Sequence, residues 1–269
     1  MISKAIAVQR ARVASARRLL PRARRGPEPV VTYALIVVCF VIFVAGPCSG
    51  LNPAYGRGAD LHAAQVAYFE RWGVVPRDLW TGSARALLAP LTALFVHGSW
   101  LHLLGNLLFL FVFGGMVEQR MGRAGYALFY LATGCLALAG FAIAYSGSTQ
   151  TLVGASGAIA AVLGAFLYLL PTARVTSLFP FLFFLPLRFP AWMVLIFWFV
   201  LQWLAARTST TRPGVAYLAH LIGFCLGFLY AWARYGRGPS GGGAAGRGSE
   251  DGEARVSSAA RATEGESQP

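Results

Sequence analysis

Residues 95–122 read FVHGSWLHLLGNLLFLFVFGGMVEQRMG. The run is apolar enough to cross a bilayer, yet it carries His97, His102 and Asn106. Polar groups in hydrocarbon cost free energy, and in membrane proteins they tend to mark function. His102 and Asn106 are spaced i, i+4, which puts both on one face of a helix. Their purpose depends on what the rest of the chain places at the same depth.

The 269 residues are 57% hydrophobic and 12% charged, with a mean hydropathy of +0.58. That balance lies outside the soluble globular range. A helix needs about 20 apolar residues to cross a bilayer, and six runs near that length occur, at 30–45, 94–117, 125–145, 154–170, 190–206 and 215–234. Residues 176–186 are apolar enough to blur the start of the fifth. The expectation is an all-α membrane protein of six transmembrane helices, with a long interfacial loop between helices one and two. That loop contains VAYFERWGVVPRDLW (residues 66–80), aromatic and mildly amphipathic, which suits a segment lying in the membrane interface. Loops of this length are usually functional.

The formal charge of +13 is unevenly placed: residues 1–28 hold eight Lys/Arg against one Glu. With the N-terminus inside, 17 Lys/Arg fall on the inner side and six on the outer, as the positive-inside rule requires for six helices with both termini cytoplasmic. Arg17, Arg18, Arg22, Arg24 and Arg25 therefore read first as a topology signal, aided by anionic lipid, and not as a nucleic-acid site. The same Arg-rich, acid-poor segment also fits an organellar transit peptide. Ala-, Gly- and Arg-rich usage without a signal peptide points to a bacterial inner membrane. Three regions result: a basic cytoplasmic arm (1–28), a membrane domain (29–235) and a Gly/Ala/Ser-rich tail (236–269) too polar to bury a core. Cys39, Cys135 and Cys225 fall in apolar spans and Cys48 in the outer loop, with neither a disulfide framework nor zinc-ligand spacing.

Two more polar residues stand out. Ser156 lies in GASGAIAAVLGAF (residues 154–166) and His220 in AYLAHLIGFCLGF (residues 216–228). Each has a bland reading, since Gly157 with Ala161, and Gly223 with Gly227, let helices pack closely and a serine among them helps that packing. His97, near the helix mouth, reads as a hydrogen-bonding surface residue. The combination says more. Spans two, four and six run in the same direction, and His102, Ser156 and His220 all fall in their first halves, roughly 5–15 Å below one surface at a rise of 1.5 Å per residue. With the N-terminus inside, that surface is the outer one.

The acids narrow the chemistry. No Asp or Glu occurs between Glu118 and Glu250, so a buried aspartate pair, an HExxH zinc site and an acid relay for proton-coupled transport are all missing. What remains is a serine nucleophile with a histidine base and no obligatory carboxylate, needing neither metal nor cofactor. Ser156 would attack, His220 would take its proton, and His102 and Asn106 would donate to the developing oxyanion. A transporter or channel using the same polar groups, and a membrane protein in which they only pack, are the competing readings.

HGSWLHLLGN (residues 97–106), GASGAIAAVLGAF and VAYLAHLIGFCLGF, in this order, resemble the rhomboid intramembrane serine proteases over about residues 29–235. The resemblance implies a six-helix fold with a water-filled cavity open to the outer side. It makes Ser156 the nucleophile, His220 the base of a dyad, and His102 and Asn106 the oxyanion site together with the backbone N–H of Ser156. Gly154 matches the first glycine of the family's GxSG, and Gly223 and Gly227 match the glycines that bring helix six against helix four. Glu118 and Arg120 match a Glu-x-Arg segment, implying a structural pair at the inner boundary. Two positions depart: Ala160 stands where some rhomboids carry an aromatic ring against the base, and the common Trp-Arg dipeptide is reversed as Arg71-Trp72. The implied activity is cleavage of membrane-protein substrates in or beside their transmembrane helices. The alternative is a rhomboid-like protein that binds such helices without cutting them.

Overall fold

A computed structural model describes residues 27–179, 185–208 and 216–236. The basic arm and the tail expected from the sequence lie almost wholly outside these residues. Helix α1 (Val30–Ala45) is followed by a loop region holding two short helices, α2 (Ala59–Trp72) and α3 (Ala84–Ala93). Helices α4 (Trp100–Phe109) and α5 (Gly115–Met121) form one continuous rod, joined by a π turn at Leu110–Gly114. Then come α6 (Arg123–Ala144), α7 (Ser156–Leu169), strands β1 (Arg174–Phe179) and β2 (Leu185–Pro190), α8 (Ala191–Thr208) and α9 (Tyr217–Tyr235).

The rod Trp100–Met121 and helices α6 and α8 are long and apolar enough to cross a membrane, while α1 and α7 are apolar but shorter. The second span begins later than the apolar run suggests. Ser99 accepts a hydrogen bond from the His102 backbone N–H at 3.2 Å, and this cap starts the helix at Trp100. Leu94 instead closes α3. Of the apolar residues 176–186, those described, 176–179 and 185–186, lie in the hairpin, where Arg174 pairs with Pro190 and Phe179 with Leu185. Pro186 and Pro190 cannot donate to a ladder, and a two-stranded hairpin tolerates them because each strand keeps a free edge. The fold is mostly helical, as expected, and this hairpin is its one two-stranded addition among the described residues.

Helix α7 is the centre. Every residue from Gly157 to Phe166 is buried, as a helix that is apolar all round requires. The outward faces of the surrounding helices are apolar and bare: Leu101 is 84% exposed, Leu128 71% and Phe197 62%. A hydrophobic surface that extensive needs a nonpolar solvent. Glu118, expected to pair with Arg120, does something else. Its buried carboxylate accepts from the backbone N–H groups of Val31 (3.0 Å) and Thr32 (2.8 Å) and from the Thr32 hydroxyl (2.8 Å). It thereby satisfies the first turn of α1, where no intrahelical acceptor exists.

Candidate active site

Ser156 is the first residue of α7, and His220 lies in the first turn of α9. The packing of these two helices brings them together. A Cβ at Gly223 would strike the Gly157 carbonyl, one at Gly227 the Ala161 carbonyl, and one at Gly164 the Phe224 carbonyl. Only hydrogen at these positions lets the backbones approach this closely. In the resulting contact Ser156 Oγ lies 2.8 Å from His220 Nε2.

The segment leading into Ser156 is pinned on both sides. Val74 and Leu152 exchange backbone hydrogen bonds of 2.9 and 2.8 Å, and the Gly154 N–H donates to the Ala93 carbonyl at 2.8 Å. The long region between α1 and α4 thus holds the approach to the serine. Gly154 has φ +122°, a backbone that L side chains rarely adopt, and a Cβ there would lie 2.6 Å from His102 Nε2. Glycine is required at this position on both grounds.

His102 and Asn106 face the same space from α4. The Gly98 N–H donates to His102 Nδ1 at 3.4 Å. A ring nitrogen that accepts leaves the proton on the other one, so Nε2–H is free to donate. Asn106 is buried, and its Nδ2 has no partner among the described residues. A buried donor left unpaired is costly, and an incoming oxygen would satisfy it. His97, expected at the surface, is 1% exposed. Its ring meets that of His102 edge-on at 5.1 Å, and its Nδ1–H donates to the Phe95 carbonyl at 3.3 Å, so it buttresses His102.

These groups surround a cavity of about 660 Å³ whose walls include His102, Asn106, Ser156, Trp198, Gln202 and His220. Gln202 is the residue the sequence reading passed over. Its Oε1 accepts from His220 Nδ1 at 2.8 Å. The signal was present, since an amide within the apolar run of residues 190–206 is itself a polar group in a span. Its partner lies 18 positions away, and nothing local names it.

A family model for the rhomboid domain matches residues 84–237, more than half of the 269. The chain belongs to the rhomboid family. It is similar to the mitochondrial rhomboid protein 1 of Saccharomyces cerevisiae, 32% identical over 145 residues, covering 51% of this chain and 39% of the yeast protein. It is also similar to the chloroplastic rhomboid-like protein 11 of Arabidopsis thaliana, 51% identical over 43 residues, covering 16% of this chain and 15% of the plant protein. The matches span well under half the length of these curated relatives. As a rhomboid with extensive apolar helices, the chain is an integral membrane protein of a family of intramembrane proteases.

Proposed function

We propose that this rhomboid is an active serine endopeptidase that cleaves membrane-protein substrates in or next to their transmembrane helices. The observation that carries the reading is the 2.8 Å contact between Ser156 Oγ and His220 Nε2 at the edge of the cavity. His220 Nε2 takes the hydroxyl proton as Ser156 Oγ attacks the scissile carbonyl. The developing oxyanion meets the Ser156 backbone N–H at the start of α7, His102 Nε2–H and Asn106 Nδ2–H. Such donors stabilise a charge that the ground state lacks. The imidazolium then gives its proton to the leaving amine, and water entering the cavity hydrolyses the acyl-enzyme by the same route in reverse.

A helical substrate must unwind to expose a carbonyl, which favours Gly, Ala or Pro near the scissile bond. Entry is lateral, between the rod α4–α5 and α8, the least buried of the three long apolar helices among the described residues (11% of residues, against 33% and 39%). The domain is residues 29–235 with six crossings, and both termini share the side opposite the site. Ala-, Gly- and Arg-rich usage favours a bacterial inner membrane. An organelle is the second reading, favoured by the Arg-rich first 28 residues and by the mitochondrial and chloroplastic names of the relatives.

A fluorophosphonate probe on detergent-purified protein tests the chemistry. Wild type is expected to label, while Ser156→Ala and His220→Ala are not. Folded wild type that fails to label would move the assignment to a rhomboid that binds helices without cutting them.

A further inference from the structure

We infer that Gln202 is a positioning residue for His220, holding the imidazole in the tautomer that makes Nε2 a base toward Ser156. The inference rests on the Ser156–His220 reading above. Imidazole has two nitrogens, and only the unprotonated one can accept the serine proton. The Gln202 Oε1 atom is an acceptor without a proton, 2.8 Å from Nδ1, so the ring proton sits on Nδ1. The Nε2 lone pair then faces the Ser156 hydroxyl at 2.8 Å. Both ring nitrogens are engaged, and the ring has no freedom to turn.

The surroundings reinforce this assignment. Trp198 and Gln202 are i, i+4 on α8 and share one face. The Trp198 ring lies 6.2 Å from that of His220 at 32°, and Tyr217 approaches edge-on at 6.2 Å. Position 160 carries only a methyl group, which lines the cavity and offers no ring to stack on the imidazole. Orientation of the base therefore comes from α8. A neutral amide in this place parallels the Asn of Cys-His-Asn hydrolases, where the third member fixes tautomer and direction without carrying charge. During attack the proton moves from Ser156 Oγ to Nε2, while the Nδ1–H bond to Gln202 stays intact.

The test pairs a spectrum with kinetics on the full-length protein in detergent. In wild type labelled with 15N-histidine, the His220 signals, assigned by their loss in His220→Gln, should show a protonated Nδ1 and a bare Nε2. Gln202→Met keeps length and loses the acceptor. The ring should then become a tautomer mixture, and fluorophosphonate labelling should slow by roughly 10-fold or more, part of what a general base contributes. With a cleavable transmembrane substrate the loss should fall on kcat, leaving KM nearly unchanged. Gln202→Glu, which retains an oxygen acceptor, should restore Nδ1 protonation and most of the labelling.

A wild-type ring protonated on Nε2 would mean that the amide is turned over and donates, which overturns the inference. So would wild-type labelling rates in Gln202→Met, or equal losses in Met and Glu variants with equally lowered melting temperatures. Wild type that never labels removes the Ser156–His220 reading itself, and the role of Gln202 falls with it whatever the ring spectrum shows.

Discussion

Asn106 Nδ2 is buried with no partner among the described residues, an expensive way to pack a helix unless a substrate oxygen arrives there. Asn106→Ala should therefore fold as well as wild type yet turn over about 10²–10³-fold more slowly, a loss of roughly 2.7–4 kcal/mol of transition-state stabilisation. Measured kcat beside an unchanged melting temperature checks this. Gly154→Ala should behave differently. Its Cβ would meet the His102 ring and force an unfavourable φ, so both labelling and thermal stability should fall. At the loop after α1, burial pushes the Cys48 thiol from its ordinary 9.0 up to about 11. The folded state holds the neutral form, so its contribution to stability is complete below pH 9 and is lost as pH rises toward 11. Iodoacetamide modification of Cys48, followed by mass spectrometry, should be slow at neutral pH and accelerate only as pH approaches 11.

At the scale of elements, two devices hold the spans in register. Glu118 ties α5 to the first turn of α1 through three charge-assisted hydrogen bonds. Glu118→Ala strands those donors and should cost on the order of 3 kcal/mol, read as a lower unfolding midpoint in detergent. Glu118→Gln, which keeps an acceptor, should lose less. The second device is the glycine contact between α7 and α9. Gly227→Ala would press a methyl group on the Ala161 carbonyl, so the helices must separate. The expected cost is about 1–3 kcal/mol of overpacking. Because Ser156 and His220 ride on these two helices, fluorophosphonate labelling should fall together with stability. A variant that loses stability and labels at the wild-type rate would show that the Ser156–His220 contact does not depend on this packing.

Across the whole molecule, the proposed six crossings place the long loop after α1 opposite both termini. In a background without native cysteines, Arg57→Cys should react with a membrane-impermeant maleimide added to the outside of sealed cells. Ser257→Cys should react only after permeabilisation. The reverse pattern would invert the topology and put the cavity on the inner side.

Much of this architecture was legible in the chain because its signals are local. An apolar run near bilayer length declares a span by itself, the i, i+4 spacing of His102 and Asn106 declares a shared face, and equal depth along same-direction helices placed Ser156 and His220 on one level. The acid-free stretch from Glu118 to Glu250 removed most competing chemistries without any geometry. Tertiary structure decided what depends on partners distant in sequence. Glu118 reaches residues 86 and 87 positions away in place of Arg120, and Gln202 reaches His220 across 18 positions. His97, polar and near a helix mouth, turned inward against His102. Residues 176–179, whose apolar character blurs the start of the fifth span, lie in a strand paired with residues 185–188. Hydrophobicity and periodicity are properties of a segment and can be read from it. A hydrogen-bond partner is a property of the packed whole.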